Sequence, residues 1–118
     1  MNTDIWLLFW WLLVAHLFSD WFVQPEWIAH GKGKYPLLMC VHCLWWVGAL
    51  SIPLFFYAKL HVWKLIFLFV GHWIIDIWKS KKYDKLVVEE KMPLEKFVNY
   101  VYVDQALHIA QMSIVVIL

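Results

Sequence analysis

Four apolar stretches, each long enough to cross a lipid bilayer, constrain the fold of this 118-residue chain more than any other feature. They cover residues 5–23, 35–58, 60–78 and 97–118, and a transmembrane helix needs about 20 mostly apolar residues. Hydrophobic residues make up 64% of the chain, which is more than a soluble domain of this size can bury. The sequence therefore predicts one all-α membrane domain over residues 1–118. We expect a four-transmembrane-helix bundle made of two hairpins, with short cytoplasmic surface helices in the connections.

The distribution of lysines predicts the orientation of this bundle. All ten basic residues are lysines, and most of them lie in two connections, residues 24–34 and 79–96. Because connections rich in lysine and arginine stay in the cytoplasm, both termini are expected on the outside. Because their role in topology accounts for the lysines, no nucleic-acid partner is expected.

Three pairs of histidine and aspartate with i,i+4 spacing lie inside the apolar stretches. Ionisable side chains in a bilayer normally face the protein interior and mark a functional site, and residues four apart share one face of an α-helix. In the third pair the order of the residues and the direction of the helix are both reversed, so histidine lies on the same side of aspartate in every pair. His42 in the second stretch lies at a similar depth. We expect these seven side chains to converge in the cytoplasmic leaflet: His16/Asp20, His42, His72/Asp76 and Asp104/His108.

Imidazole and carboxylate groups are the ligands that zinc, manganese and iron use where thiolates are absent. The chain is therefore expected to hold a divalent metal, with zinc the first choice and manganese or iron as alternatives. The predicted ligands are His16, Asp20, His42, His72, Asp76, Asp104 and His108. The three aspartates, Asp20, Asp76 and Asp104, are also the candidate catalytic groups, since a carboxylate that does not bind the metal can act as a general base. Three further residues are candidates for positioning an anionic substrate: Gln24, Lys79 and Gln105.

One other interpretation of the aspartates and histidines stays open, and the two cysteines have to be considered as well. The aspartates and histidines can instead form a metal-free hydrogen-bond network that fixes the register of the helices. Cys40 and Cys43 form a C-x-x-C motif, but a structural zinc site usually needs a second such pair and the sequence has none. These two cysteines are therefore expected to serve packing.

At the same residues the chain resembles an uncharacterised family of small bacterial and phage integral membrane proteins, defined as a domain of unknown function. The matching stretches are AHLFSDWFVQPEW with GK at 31–32, VHC around His42, GHWIIDIWK, and VDQALHIAQ. A looser likeness in residue types and size extends to bacterial membrane-bound metal-dependent hydrolases. The resemblance implies a multi-pass protein of the bacterial cytoplasmic (inner) membrane, or a phage-encoded protein of the host membrane. It supplies no substrate.

The function that these observations predict is a metal-dependent membrane hydrolase with its site in the cytoplasmic leaflet. Its substrate would be a phosphate or an ester of a lipid or of another membrane-associated molecule. One alternative is a subunit of a metal-ion or proton transporter or channel, although the outer halves of the stretches carry few ionisable residues for a pathway. Another is a non-enzymatic binding or effector protein with a structural polar network. The expected partners are the lipid bilayer and possible further copies of this chain in a homo-oligomer.

Overall fold

Each predicted apolar stretch forms a helix in the computed structural model, which describes residues 3–22 and 35–118. Within these ranges there is no β-strand, so the all-α prediction is confirmed, with four helices. Helix α1 covers Thr3–Leu17, α2 Pro36–Phe56, α3 Val62–Tyr83 and α4 Leu94–Ile117; α1 continues into a π-helical segment, Phe18–Phe22, and α3 into another, Asp84–Glu89. The first predicted cytoplasmic connection, including Gln24, lies outside the described residues.

The helices pack as a ring in which each contacts the next and α4 also contacts α1. A core of leucine, valine and methionine fills one end of the ring, and the histidines and aspartates fill the other. The buried apolar residues of that core are Leu8, Leu12, Trp46, Val47, Leu50, Leu54, Leu68, Met112, Val115 and Val116. The histidines and aspartates are therefore concentrated at one end of the bundle.

A tight turn joins α2 to α3 and sets their register. The Lys59 N–H donates to the Leu54 carbonyl at 2.8 Å and the Ala58 N–H donates to the Phe55 carbonyl at 3.0 Å, which is the hydrogen-bond pattern of a Schellman motif. Ala58 has a φ of 56°, in the left-handed region that usually selects glycine. His42 and His72 lie fifteen residues before and after Tyr57, so the turn brings these two histidines to the same level.

The connection between α3 and α4 differs from the prediction of a separate surface helix. The chain stays helical to Glu89 and ends there, with Lys91 at a φ of 54° and the Met92 N–H donating to the Leu86 carbonyl at 2.9 Å. No helix breaker occurs in this connection before Pro93, which restricts the conformation of the residue ahead of it. The helical path of α3 therefore continues where the sequence predicted a separate surface helix. Because this connection is short, Asp76 and Asp104 lie at the same level.

The prediction of four membrane spans is not supported by the described helices, of which two qualify by length and composition. Pro36–Phe56 and Glu95–Ile117 are long and apolar enough to cross a membrane. Helix α1 has only 15 residues, below the length that a span requires. Helix α3 is long enough but contains Lys64, Asp76 and Lys79, which lower its hydropathy.

Candidate metal centre

The seven side chains predicted as ligands are all buried at the polar end of the bundle, between 0% and 8% exposed. They come from all four helices because the two short connections bring α2 beside α3 and α3 beside α4. Six of them form two overlapping sets of possible metal ligands. The seventh, His16, lies beside these sets but belongs to neither.

The first set has four members, Asp20, His42, His72 and Asp76. The Nε2 atoms of the two histidines are 2.8 Å apart. Asp76 Oδ2 lies 3.0 Å from the Nε2 of His42 and 3.2 Å from that of His72. Asp20 Oδ1 lies 3.2 Å from the Nε2 of His42 and 4.0 Å from that of His72. Four donor atoms from four side chains thus point at one common position.

The measured separations bracket those of a regular tetrahedral metal site. Zinc binds nitrogen and oxygen ligands at about 2.0–2.1 Å, which places the ligand atoms of a regular tetrahedron roughly 3.3–3.4 Å apart. The five measured separations in this set run from 2.8 to 4.0 Å around that value. Two imidazoles and two carboxylates are also a chemically suitable set for zinc, manganese or iron. The residues therefore fit a divalent ion in both geometry and chemistry.

The second set shares Asp76 with the first and adds Asp104 and His108. The Nε2 of His108 lies 3.3 Å from Asp76 Oδ1 and 3.2 Å from Asp104 Oδ1. Asp76 therefore turns one carboxylate oxygen to each set. A carboxylate shared in this way can bridge two ions, and it can equally link one ion to a hydrogen-bond network.

His16 has protein partners at both ring nitrogens. The Trp46 indole N–H donates to His16 Nδ1 at 2.8 Å, so Nδ1 is unprotonated and the proton of the neutral ring lies on Nε2. His16 Nε2 then donates to Gln105 Oε1 at 2.8 Å. The side chain predicted as a ligand is thus placed as a hydrogen-bond partner of Gln105.

His16 and Asp20, which the sequence pairs, have different partners in the structure. Asp20 lies in the π-helical segment Phe18–Phe22 that continues α1, and its Oδ1 lies 3.2 Å from His42 Nε2. His16 lies in α1 and binds Trp46 and Gln105.

Gln105 and Lys79, two candidates for positioning a substrate, both bind Asp104. Gln105 Nε2 donates to Asp104 Oδ2 at 2.8 Å and Lys79 Nζ donates to the same oxygen at 3.1 Å. Burial lowers the pKa of the Lys79 amine, but attraction to Asp76 and Asp104 raises it by more, so this pKa lies above its ordinary value. Lys79 lies just past the predicted third span with 19% of its side chain exposed. Lys79 therefore places a positively charged side chain at the edge of the centre.

Trp46 is a member of the centre that was not predicted. Its ring stacks on His72 at 4.1 Å with an interplanar angle of 15°, and its indole orients His16. The spacing to His42 is i,i+4 on α2, so the rule that paired the aspartates and histidines would have found it. Gln111 was also missed, and its amide donates to the Phe67 carbonyl at 3.2 Å.

The sequence as a whole matches one family profile over residues 8–118. The chain belongs to the DUF3307 family. DUF3307 is described as a protein of unknown function, which agrees with the expectation of an uncharacterised family. The matched region contains every residue of the two ligand sets. Comparison with curated proteins and with solved structures gave no match.

Proposed function

We propose that this DUF3307 protein is a metal-dependent hydrolase of the bacterial cytoplasmic membrane, with one end of its bundle built around a divalent ion. The observation that carries the proposal is the convergence of four possible ligand atoms, all within 4.8 Å of one another, from Asp20, His42, His72 and Asp76. Zinc is the ion that suits this set best, and manganese or iron would also fit.

The charges at the centre favour a bound cation. Three buried carboxylates lie within one cluster of contacts, and Lys79 forms an ion pair with one of them, Asp104. Buried carboxylates are stabilised by a nearby positive charge, because an uncompensated charge in the protein interior is costly. A divalent ion would supply such a charge to Asp20 and Asp76.

Several features support four membrane spans in the folded protein. In the two helices that qualify by composition, only 33% of the apolar window is buried inside the bundle, so most of each window faces outward. Lys64 and Asp76 of α3 are 1% and 0% exposed and would therefore not face lipid. With its π-helical continuation α1 reaches the length of a span. Large apolar side chains cover the outer faces, among them Trp6, Trp10, Leu37, Phe56, Val62, Ile74, Tyr102 and Ile117.

The proposed chemistry is hydrolysis of a phosphate or carboxylic ester. When bound, the ion would polarise the ester and lower the pKa of a water molecule that joins the four protein ligands as a fifth. The water oxygen would bond to phosphorus or to the carbonyl carbon, and the bond to the leaving oxygen would break. One proton of the water would pass to a carboxylate of the centre and then to the leaving oxygen. Asp104 is the candidate base, and Lys79 supplies positive charge to an anionic substrate arriving at the exposed edge.

The apolar half of the bundle argues against the transport alternative. A conduction path needs polar groups through the whole thickness of the membrane. Beyond the centre, the described interior consists mainly of leucine, valine and methionine side chains, and the buried polar residues there are Lys64 and Gln111. The polar groups therefore support chemistry at one face better than passage through one chain.

The test uses full-length protein in lipid nanodiscs, stripped with a chelator and reloaded with zinc. Asp76→Asn removes the carboxylate shared by both sets, and Asp4→Asn alters an exposed carboxylate of α1 as a matched control. We expect the wild type and the control to bind zinc and to hydrolyse p-nitrophenyl phosphate or p-nitrophenyl acetate. We expect Asp76→Asn to lose both properties. Zinc binding and activity retained in Asp76→Asn, or no zinc bound by folded wild type, would refute the proposal.

A further inference from the structure

His72 and His108 face each other through their Nδ1 atoms, 3.2 Å apart. Two ring nitrogens at this distance form a hydrogen bond in which one nitrogen carries the proton and the other accepts it. A neutral imidazole carries its single proton on one nitrogen only. The nitrogen that carries the proton on one neutral ring therefore determines which nitrogen carries it on the other.

An ion in the four-residue set determines where these protons lie. His72 would bind the ion through Nε2, so the proton of its ring would be on Nδ1 and would be donated to His108 Nδ1. The proton of the His108 ring would then be on Nε2, which lies 3.3 Å from Asp76 Oδ1 and 3.2 Å from Asp104 Oδ1. A protonated ring nitrogen cannot bind a metal, so the three-residue set is closed to a second ion.

We propose that the centre holds one divalent ion and that His108 is a positioning residue which donates a hydrogen bond to Asp76 and Asp104. This inference rests on the proposed metal function. Occupation of the three-residue set would require the opposite arrangement, in which His72 Nε2 carries the proton and leaves the first ion. The two sets are thus alternatives, and the set with four ligands binds the ion more tightly because it supplies more ligands.

The role of His108 also follows from its contact with Asp76. Its Nε2 lies 3.3 Å from Asp76 Oδ1, while Asp76 Oδ2 lies 3.0 Å from the Nε2 of His42. A hydrogen bond from His108 to Oδ1 would keep Oδ2 directed at the ion. Hydrogen-bond partners of this kind commonly change metal affinity by about 10- to 100-fold.

Glutamine can test this role because its amide offers an acceptor and a donor, as the neutral His108 ring does. His108→Gln can accept from His72 Nδ1 and donate to Asp76, whereas His108→Leu can do neither. Chelator-stripped protein in nanodiscs is titrated with Co²⁺ by calorimetry and by visible absorption. We expect one equivalent in the wild type and in both variants. The affinity should lie within about tenfold of the wild type for His108→Gln and fall about 10- to 100-fold for His108→Leu.

The wild-type titration alone can overturn the inference. Two equivalents in the wild type, reduced to one in His108→Gln, would make His108 a ligand of a second ion and leave the proposed function standing. No bound ion in folded wild type would remove the proposed function as well. In the zinc form, ¹⁵N NMR of the histidines should report an unprotonated Nδ1 and a protonated Nε2 for His108. A metal-bound Nε2 in that spectrum would contradict the inference.

Discussion

His42 and His16 offer a matched pair of substitutions that separates a ligand from a neighbour of the centre. Both side chains are 1% exposed, and both are histidines on helices of the same bundle, so His42→Asn and His16→Asn cause similar packing changes. His42 directs Nε2 at the common position of the four donors. Both nitrogens of His16 are engaged by Trp46 and Gln105.

The size of the difference follows from the number of ligands. Structural zinc sites bind with about 10–16 kcal/mol, so one ligand of four contributes roughly 2.5–4 kcal/mol, or a factor of about 10² to 10³ in affinity. His42→Asn should therefore weaken zinc binding by that factor. His16→Asn should change it by less than about tenfold, because His16 acts on the centre through Gln105 and Trp46 and directs no ring nitrogen at the ion.

The assay is competition between each protein and a chelator of known zinc affinity, in the same nanodiscs. Far-ultraviolet circular dichroism of both variants checks that the helices are intact. Equal losses of affinity in the two folded variants would refute the assignment of His16 as a hydrogen-bonding neighbour. A larger loss in His16→Asn would refute the four-residue set itself.

Three further predictions concern the packing around the centre. A Cβ on Gly71 would overlap the Gln111 amide, whereas one on Gly48 meets nothing within 4 Å. Gly71→Ala should therefore be about 1–3 kcal/mol less stable than Gly48→Ala in unfolding by sodium dodecyl sulfate. Equal stabilities of the two variants would contradict the packing described. Ala58→Gly should raise stability by up to about 1 kcal/mol because it removes the left-handed strain of the turn, and a measured loss would argue against that turn. Trp46→Phe removes the indole hydrogen bond to a buried ring and should cost about 1–3 kcal/mol in the same assay, so an unchanged midpoint would count against the bond.

Much of the architecture was accessible from the sequence, because the apolar stretches and the short connections determine it. The predicted stretches 35–58 and 97–118 correspond closely to Pro36–Phe56 and Leu94–Ile117. The level of His42 against His72 follows from their equal distance from Tyr57. The convergence of the predicted ligands at one end of the bundle follows in the same way, from their positions along antiparallel helices.

The details of the centre depend on features that residue spacing does not reveal. The i,i+4 rule groups His16 with Asp20, but in the structure His16 binds Trp46 and Gln105 while Asp20 contacts His42. The two oxygens of Asp76 contact different histidines, which depends on side-chain orientation. A search limited to ionisable residues also omitted Trp46, although its indole fixes the proton of His16.

Zinc K-edge X-ray absorption of the reloaded protein tests the central claim most directly. The account predicts a single shell at about 2.0–2.1 Å that holds four nitrogen and oxygen ligands from the protein, with water as a fifth. It also predicts the scattering pattern of two imidazole rings and no neighbouring metal at about 3.5–4 Å. Sulfur in the first shell, which would implicate Cys40 or Cys43, or a folded protein that binds no zinc would contradict a centre built from Asp20, His42, His72 and Asp76.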